Sequence, residues 1–218
     1  MKRAAAPALA ASLLLLGLLP ARAAEVDVER LELGVRIEPD SRMLYARATF
    51  FLRNLGPDSV ELLEFALPEK LADRFLLRAV WDRGGELGWR ADLDEAGAAP
   101  ALRVALRAPL APRKSLVLVV AYDLDLNDFD AWGDRLQVTP ESARLPTTGW
   151  YPWPANAHRL VPSQLRLFAR VPKQWPVAAP AKLKRSQEGT LLTSYELVLF
   201  PVRPDEWLFR AGDSRVPQ

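Results

Sequence analysis

The chain has 218 residues, half of them hydrophobic, with no cysteine and a single histidine, His158. Zinc sites usually take two or more ligands from His and Cys, and nucleophilic triads need a His or another base beside the nucleophile. The composition therefore argues against a zinc enzyme and against a Ser or Cys hydrolase. It is apolar enough to form a sizeable core.

The first residues have the pattern of a secretory signal peptide, predicted at 1–23. Lys2 and Arg3 form a basic start, residues 13–19 form an apolar stretch, and small residues at 21 and 23 mark a cleavage site. The apolar stretch is shorter than the about 20 residues of a membrane-spanning helix, and the alternative is an uncleaved anchor. We therefore expect a periplasmic or secreted protein of a bacterial cell envelope.

The predicted signal peptide changes the charge of the mature protein. It holds three of the 29 basic residues and none of the 27 acidic ones, which leaves 26 basic residues and a net charge of −1. A nucleic-acid partner needs an excess of Lys and Arg on one face, and attachment to an anionic membrane needs a basic cluster. We expect neither partner. The mature chain is predicted to form one domain at 24–213, with a tail at 214–218.

Alternation of apolar and polar residues predicts an all-β fold. The strongest local prediction is a hairpin of residues 31–53, with its turn at 39–42. The clearest single strand is at 116–126, and its second face ends in acidic residues that we expect to be solvated. Further strands are predicted, in chain order, at 60–67, 75–81, 86–90, 102–107, 165–171, 190–200 and 206–211.

Arginines alternate with apolar residues in several predicted strands. They are Arg36, Arg47, Arg53, Arg103, Arg107, Arg166 and Arg170. We interpret them as the solvated face of a sheet, where charge also discourages association between sheet edges. Trp81 lies in a predicted strand and is interpreted as a core or interface residue.

An acidic cluster follows the strand at 116–126. Its spacing Asp-x-Asp-x-Asn resembles the start of a calcium-binding loop, in which oxygen atoms are the ligands. The candidate ligands are Asp123, Asp125, Asn127 and Asp128. However, Asp128 stands where that loop needs Gly, and Asp134 stands where it needs Glu. The alternative is a solvated strand end that leads into a loop.

Residues 127–162 interrupt the alternation with a long connection rich in Pro and Trp. Such a connection is uncommon unless it is functional or disordered, and its aromatic residues argue against disorder. The candidate ligand-binding or partner-binding residues are Trp150, Tyr151, Trp153, Asn156, His158 and Arg159. The three rings could form a flat platform for sugars or peptides, or they could fill the open end of a sandwich beneath the loop. His158 is interpreted as a hydrogen-bonded loop residue.

Several segments, in this order, resemble the N-terminal β domain of the gluzincin zinc aminopeptidases, the family of aminopeptidase N and leukotriene-A4 hydrolase. The segments are residues 33–42, 46–54, 108–112 with 116–122, 149–152, 165–172 with Trp175, and 208–213. Together they cover nearly all of the mature chain. The resemblance implies a saddle-shaped antiparallel β-sandwich, in which 149–152 falls where the family carries an aromatic-proline segment facing the active site.

The chain departs from this family where the family's chemistry resides. It has no His-Glu-x-x-His element for zinc and no Gly-x-Met-Glu-Asn substrate loop, and its only methionines are Met1 and Met43. Residues 152–156 read Pro-Trp-Pro-Ala-Asn, where the family often has Pro-Cys-Phe-Asp-Glu-Pro. We therefore expect no peptidase activity and no cofactor.

The expected function is contact with a partner. The leading hypothesis is a non-catalytic, exported binding protein whose partner is a protein or peptide, such as a separately encoded peptidase. The second is a carbohydrate-binding module that uses Trp150, Tyr151 and Trp153. The third is a truncated relic of a zinc aminopeptidase, or an enzyme of a type that the sequence does not reveal.

Overall fold

The computed structural model describes residues 25–93, 99–127, 136–180, 183–199, 202–203 and 207–212. The predicted signal peptide and the tail lie outside the described residues. The described strands, in chain order, are β1 Val26–Glu38, β2 Met43–Asn54, β3 Val60–Ala66, β4 Phe75–Asp82, β5 Gly85–Glu86, β6 Trp89–Asp92, β7 Ala101–Leu110, β8 Ser115–Asp125, β9 Gln137–Val138, β10 Ser142–Pro146, β11 Trp153–Pro154, β12 Gln164–Pro172, β13 Val177–Ala178, β14 Leu183–Glu188, β15 Leu192–Leu199 and β16 Trp207–Gly212.

The prediction of an all-β sandwich is confirmed. The described residues contain one short helix, a 3₁₀ helix at Glu69–Arg74, and strands account for most of the rest. No helix in the described ranges is long and apolar enough to cross a membrane. The strands form an eight-stranded sheet and two four-stranded sheets.

The predicted hairpin is the centre of the large sheet. β1 and β2 pair in antiparallel register, with Leu33 opposite Ala48 on the face that is buried. In the turn, the Arg42 N–H donates to the Pro39 carbonyl at 3.1 Å, and Arg42 has a positive φ of 48°. The alternation of apolar and polar residues therefore determined both the strands and the face that each residue occupies.

The large sheet has the order β14-β15-β12-β1-β2-β8-β4-β5. Its ladders are antiparallel except between β1 and β12, which run parallel with Leu33 opposite Leu167. A parallel pair needs a long crossover, and here residues 39–163, which include β2 to β11, connect the two strands. The end of that connection already runs beside β1, because the Asn156 carbonyl accepts from the Val26 N–H and the Ser163 N–H donates to the Val28 carbonyl, each at 3.2 Å.

The small sheets have the orders β13-β16-β10-β9 and β11-β3-β7-β6. The prediction of a single strand at 86–90 is wrong. The structure has two strands there, β5 and β6, and they belong to different sheets. The Leu87 N–H donates to Val80 of the large sheet at 2.8 Å, whereas the Gly88 carbonyl accepts from Ala105 of a small sheet at 3.0 Å. The long connection also contributes three short strands, β9 to β11.

One hydrophobic core joins the three sheets. Alternate residues of β1, β2, β8 and β12 are buried on the inner face of the large sheet, and buried residues of both small sheets belong to the same core. Phe50 of β2 and Phe65 of β3 mark the contact, with ring centroids 5.2 Å apart. The opposite, outer face of the large sheet has no layer of described residues over it, because its positions are mostly half-buried or exposed.

Candidate functional site

Of the two alternatives for the aromatic residues at 150–153, the structure agrees with rings that lie mainly inside the protein. Trp150 and Tyr151 are both buried, and each ring turns back toward the residues just before it. Trp150 Nε1 donates to the Pro146 carbonyl and the Tyr151 hydroxyl donates to the Thr147 carbonyl, both at 2.7 Å. These two rings fill the core, where they offer no face to a sugar or a peptide.

Trp153 connects this segment to the sheets. It is partly buried in β11, which pairs with β3, and its ring lies 6.5 Å from Phe50 and 6.1 Å from Tyr151. Its Nε1 donates to the Arg159 carbonyl at 3.1 Å. The Trp153 ring therefore joins the interior aromatic cluster, and its polar end is satisfied by the chain that follows.

Burial also affects the pKa of two tyrosines, Tyr151 in this cluster and Tyr122 beside it. The Tyr122 hydroxyl donates to the Trp150 carbonyl at 3.4 Å. Burial raises the pKa of Tyr122 well above its ordinary value and also raises the pKa of Tyr151, because a phenolate would lose its hydration. Neither hydroxyl is suited to act as a base near neutral pH.

The other residues predicted beside the rings are on the surface. Asn156, His158 and Arg159 are exposed, and their segment lies along the first strand. His158 Nδ1 lies 2.7 Å from Glu25 Oε1, and Arg159 contacts the Ser163 hydroxyl. The lone histidine is thus a surface hydrogen-bonding residue, and the buried rings and these polar residues do not form one pocket.

The carboxylates of Asp123 and Asp125 in the acidic cluster contact other residues of the protein. Asp123 is only 6% exposed, so the expectation of a solvated strand end is wrong at this residue. Arg78 donates to Asp123 Oδ2 through Nε at 2.7 Å and lies 2.6 Å from it through Nη2. Asp125 accepts from the Asn127 N–H and side-chain amide, each at 2.9 Å.

Asp128, the fourth candidate calcium ligand, lies outside the described residues. Within the ranges that the structure describes, no group of three or more His, Cys, Asp or Glu is arranged to hold a metal ion. The described candidates, Asp123, Asp125 and Asn127, form hydrogen bonds with other protein groups and are not arranged around a common metal position.

The outer face of the large sheet has features that the sequence analysis did not identify. The outer face consists of positions of this sheet that alternate with the core, and its central part is formed by Arg30, Glu32, Gly34, Arg36, Tyr45, Arg47, Thr49, Phe51, Ala79, Trp81, Val117, Val119, Ala121, Arg166, Phe168 and Arg170. Each of them is half-buried or exposed. Its middle is apolar, and arginines surround that middle.

Three of these arginines lie over aromatic rings. The Cζ atom is 3.6 Å from the ring centroid for Arg30 over Phe51 and 4.4 Å for Arg36 over Tyr45. A third guanidinium, of Arg47, lies over Trp81 at 4.9 Å. Such stacking holds the guanidinium in place while its N–H groups stay available.

The outer face carries both arginines and carboxylates: Glu38 lies 3.1 Å from Arg36, Asp123 lies opposite Tyr45, and Glu196 lies opposite Phe168. Glu32 lies 3.3 Å from Arg30 and 3.8 Å from Arg166, so two guanidinium groups share one carboxylate. For Arg47 and Arg170, by contrast, no ion-pair partner is found among the described residues. The sequence analysis assigned these arginines to a solvated face but did not see the rings beneath them.

Solved structures of M1 zinc metallopeptidases have a similar fold. The match to the Deinococcus radiodurans enzyme has a TM-score of 0.65 and 18% sequence identity, and it covers 86% of this chain and 42% of that chain. The match to yeast LTA4 hydrolase has a TM-score of 0.58 and 13% identity, and it covers 86% and 29% of the two chains. The sequence itself matches no family model and no curated protein.

These matches establish the fold alone. The sequence identities are low, and the chain spans less than half the length of the proteins it resembles. The fold agrees with the segments at 33–54 and 165–172 that carried the resemblance in the sequence. The chain has the β-sandwich fold seen in M1 zinc metallopeptidases, consistent with the N-terminal β domain of that family.

Proposed function

We propose that this chain is an exported, non-catalytic interaction protein that binds a partner protein through the outer face of its large sheet. The observation that carries the proposal is the set of arginines stacked on Phe51, Tyr45 and Trp81 around an apolar centre. Aromatic residues and Arg are enriched in protein interfaces and supply much of their binding energy.

The lengths of the proteins with a similar fold support the proposal that the partner of this chain is a large protein. In the Deinococcus radiodurans metallopeptidase, the match accounts for 42% of the chain, so this fold is there one part of a longer polypeptide. A separately encoded envelope peptidase is the partner that we propose, because in that metallopeptidase this fold belongs to the same molecule as the rest of the enzyme. The carbohydrate-binding alternative has less support, because Trp150 and Tyr151 are buried.

Affinity capture followed by direct binding measurements tests the proposal. Proteins from an envelope extract would be cross-linked to the purified chain and identified, and the partner would then be purified for calorimetry. Val119→Arg places a charge at the apolar centre of the outer face and should weaken binding about tenfold or more. Leu62→Arg, at a residue that is 51% exposed on a small sheet, is the matched control and should not weaken it.

Two results would overturn the proposal. One is a partner whose affinity is unchanged by Val119→Arg and reduced by Leu62→Arg, which would place the interface on a small sheet. The other is chelator-sensitive release of N-terminal amino acids by the purified chain, which would identify it as an enzyme.

A further inference from the structure

The middle of the outer face is a continuous apolar strip across three neighbouring strands. On β8 it contains Val117, Val119 and Ala121, and each of these lies opposite an outward residue of β2. Two of them also lie opposite β4, where Val119 faces Trp81 across the ladder. All three are half-buried, and apolar surface that stays in water disfavours the isolated chain.

The outer face has the area of a stable protein interface. It extends over six adjacent strands, in the order β15-β12-β1-β2-β8-β4. Strands lie about 4.8 Å apart and outward residues recur about every 6.8 Å along a strand, so three or four such residues on each strand cover about 700 Å². A stable interface takes about 800 Å² from each partner. A second sheet of the same size would therefore cover the face almost completely.

The shape of the face also favours a copy of itself. Two sheets with the same twist pack face to face when their strands cross at about 30°, as in β-sandwiches. A second copy of this chain has that twist by identity. In a two-fold symmetric dimer the same patch is used on both copies, so the apolar strip of one copy can meet the apolar strip of the other.

The charges of the face permit this self-association. At one end Glu32 lies 3.3 Å from Arg30 and 3.8 Å from Arg166, and at the other end Glu38 lies 3.1 Å from Arg36. Because both ends hold carboxylates and guanidinium groups, either orientation of a second sheet brings opposite charges together. The net charge of −1 expected for the mature chain gives no long-range repulsion between copies.

We infer that, without its partner protein, the outer face is covered by the outer face of a second copy of this chain. The two large sheets stack around a two-fold axis, with the apolar strips at the centre and the charged ends at the rim. This inference goes beyond the proposed function, because the dimer hides the surface that binds the partner. The dimer must therefore dissociate before the partner binds.

Sedimentation velocity of the purified chain tests the dimer. The sedimentation coefficient should rise from that of a monomer to that of a dimer between about 1 μM and 1 mM. Val119→Arg should raise the dissociation constant of the dimer about tenfold or more, because it places one charge from each copy at the apolar centre. Leu62→Arg is the matched control, because it adds the same charge on a small sheet and should leave the dimer unchanged.

If Val119→Arg does not fold, Phe168→Arg is the second variant. The Phe168 ring is 40% exposed, so its replacement should be tolerated by the fold and should weaken the dimer in the same direction. Calorimetry with the purified partner gives an independent readout. The apparent affinity for the partner should fall when the chain is concentrated above the dissociation constant of its dimer.

Two outcomes would overturn the inference: a monomer at every concentration up to about 1 mM, or a dimer that persists in Val119→Arg and dissociates in Leu62→Arg. If the chain is monomeric and Val119→Arg still weakens binding of the partner, the proposed function stands and only the dimer is wrong. If Val119→Arg dissociates the dimer and leaves partner binding unchanged, the dimer stands and the proposed partner surface is wrong.

Discussion

The guanidinium of Arg47 lies over the indole ring of Trp81, 4.9 Å from the ring centroid, although their strands are not neighbours. β8 runs between β2 and β4, with Ala121 opposite Arg47 and Val119 opposite Trp81. The arginine thus reaches across a whole strand to make this contact. Small and β-branched residues on β8 leave room for that path, and the charge is held at the centre of the outer face.

Arg47→Ala should therefore have a small effect on folding. A cation–π contact at an exposed site contributes about 0.5–1 kcal/mol, and we expect the free energy of unfolding to fall by no more than that. Urea denaturation followed by Trp fluorescence measures the change, with Arg83→Ala as the exposed control. A loss of several kcal/mol would mean that Arg47 has a structural role.

Trp150→Ala should be among the most destabilising substitutions in the chain. The ring is fully buried, and its removal should cost about 3–5 kcal/mol, because a cavity remains and the Pro146 carbonyl loses its donor. Leu160→Ala is the control, since that side chain is 83% exposed and the change should stay within about 0.5 kcal/mol. Equal stability of the two variants in urea would contradict the buried position of Trp150.

Gly212→Ala should disrupt the small sheet that contains β16. Gly212 has a φ of +97°, and a Cβ atom there would lie 2.0 Å from the Glu141 carbonyl oxygen. Strain and overlap together should cost about 3 kcal/mol or more, measured as a fall in the unfolding free energy. Gly88→Ala has neither problem and should be close to neutral. A neutral Gly212→Ala would show that β10 and β16 can move apart.

Arg78→Ala should destabilise the protein more than Asp123→Ala does. Without Arg78, the buried Asp123 carboxylate has no cation, whereas the Arg78 side chain, if it loses Asp123, can be hydrated. We expect a loss of about 1–3 kcal/mol for Arg78→Ala and a smaller one for Asp123→Ala.

Calcium should not raise the melting temperature of the unmodified protein. A clear calcium-dependent rise would favour the calcium-binding alternative that the sequence left open.

Alkaline pH should unfold the protein through its buried tyrosines. Burial raises the pKa of Tyr122 and Tyr151, while in the unfolded chain both titrate near about 10. The stability that comes from keeping them protonated is fully present below that pH. It is lost as the pH rises further, because the unfolded chain releases the protons first.

Phenolate absorbance measures this loss. Two of the four tyrosines should ionise only together with unfolding, and Tyr122→Phe should leave one. Gradual ionisation of all four in a folded protein would contradict the burial of Tyr122 and Tyr151.

Periodicity in the sequence was sufficient to predict the strands that have one buried face. The hairpin of β1 and β2 was predicted because each apolar residue occupies every second position, and its short turn fixes the register. That register alone places Arg36 opposite Tyr45 and Arg30 opposite Phe51. Two of the three arginine–aromatic pairs of the outer face could therefore have been found from the sequence, whereas the contact of Arg47 with Trp81 spans β8 and could not.

Other features depend on distant contacts that no local pattern encodes. The pattern at 86–90 is continuous, yet Leu87 and Gly88 bond to different sheets. For Trp150 and Tyr151 the sequence left two alternatives open, an exposed platform or burial beneath the loop, because an aromatic residue in a loop can face either solvent or a core. The parallel ladder between β1 and β12 brings together residues that are 134 positions apart in the sequence, such as Leu33 and Leu167.

That ladder has a consequence for how the molecule is made. β1 lies between its hairpin partner β2 and a strand synthesised much later, so one edge of β1 has no partner until β12 has left the ribosome. Topologies dominated by such distant pairings fold slowly. Newly made chains should therefore reach the native sheet slowly, and during that interval they would need a chaperone to protect the open edge of β1.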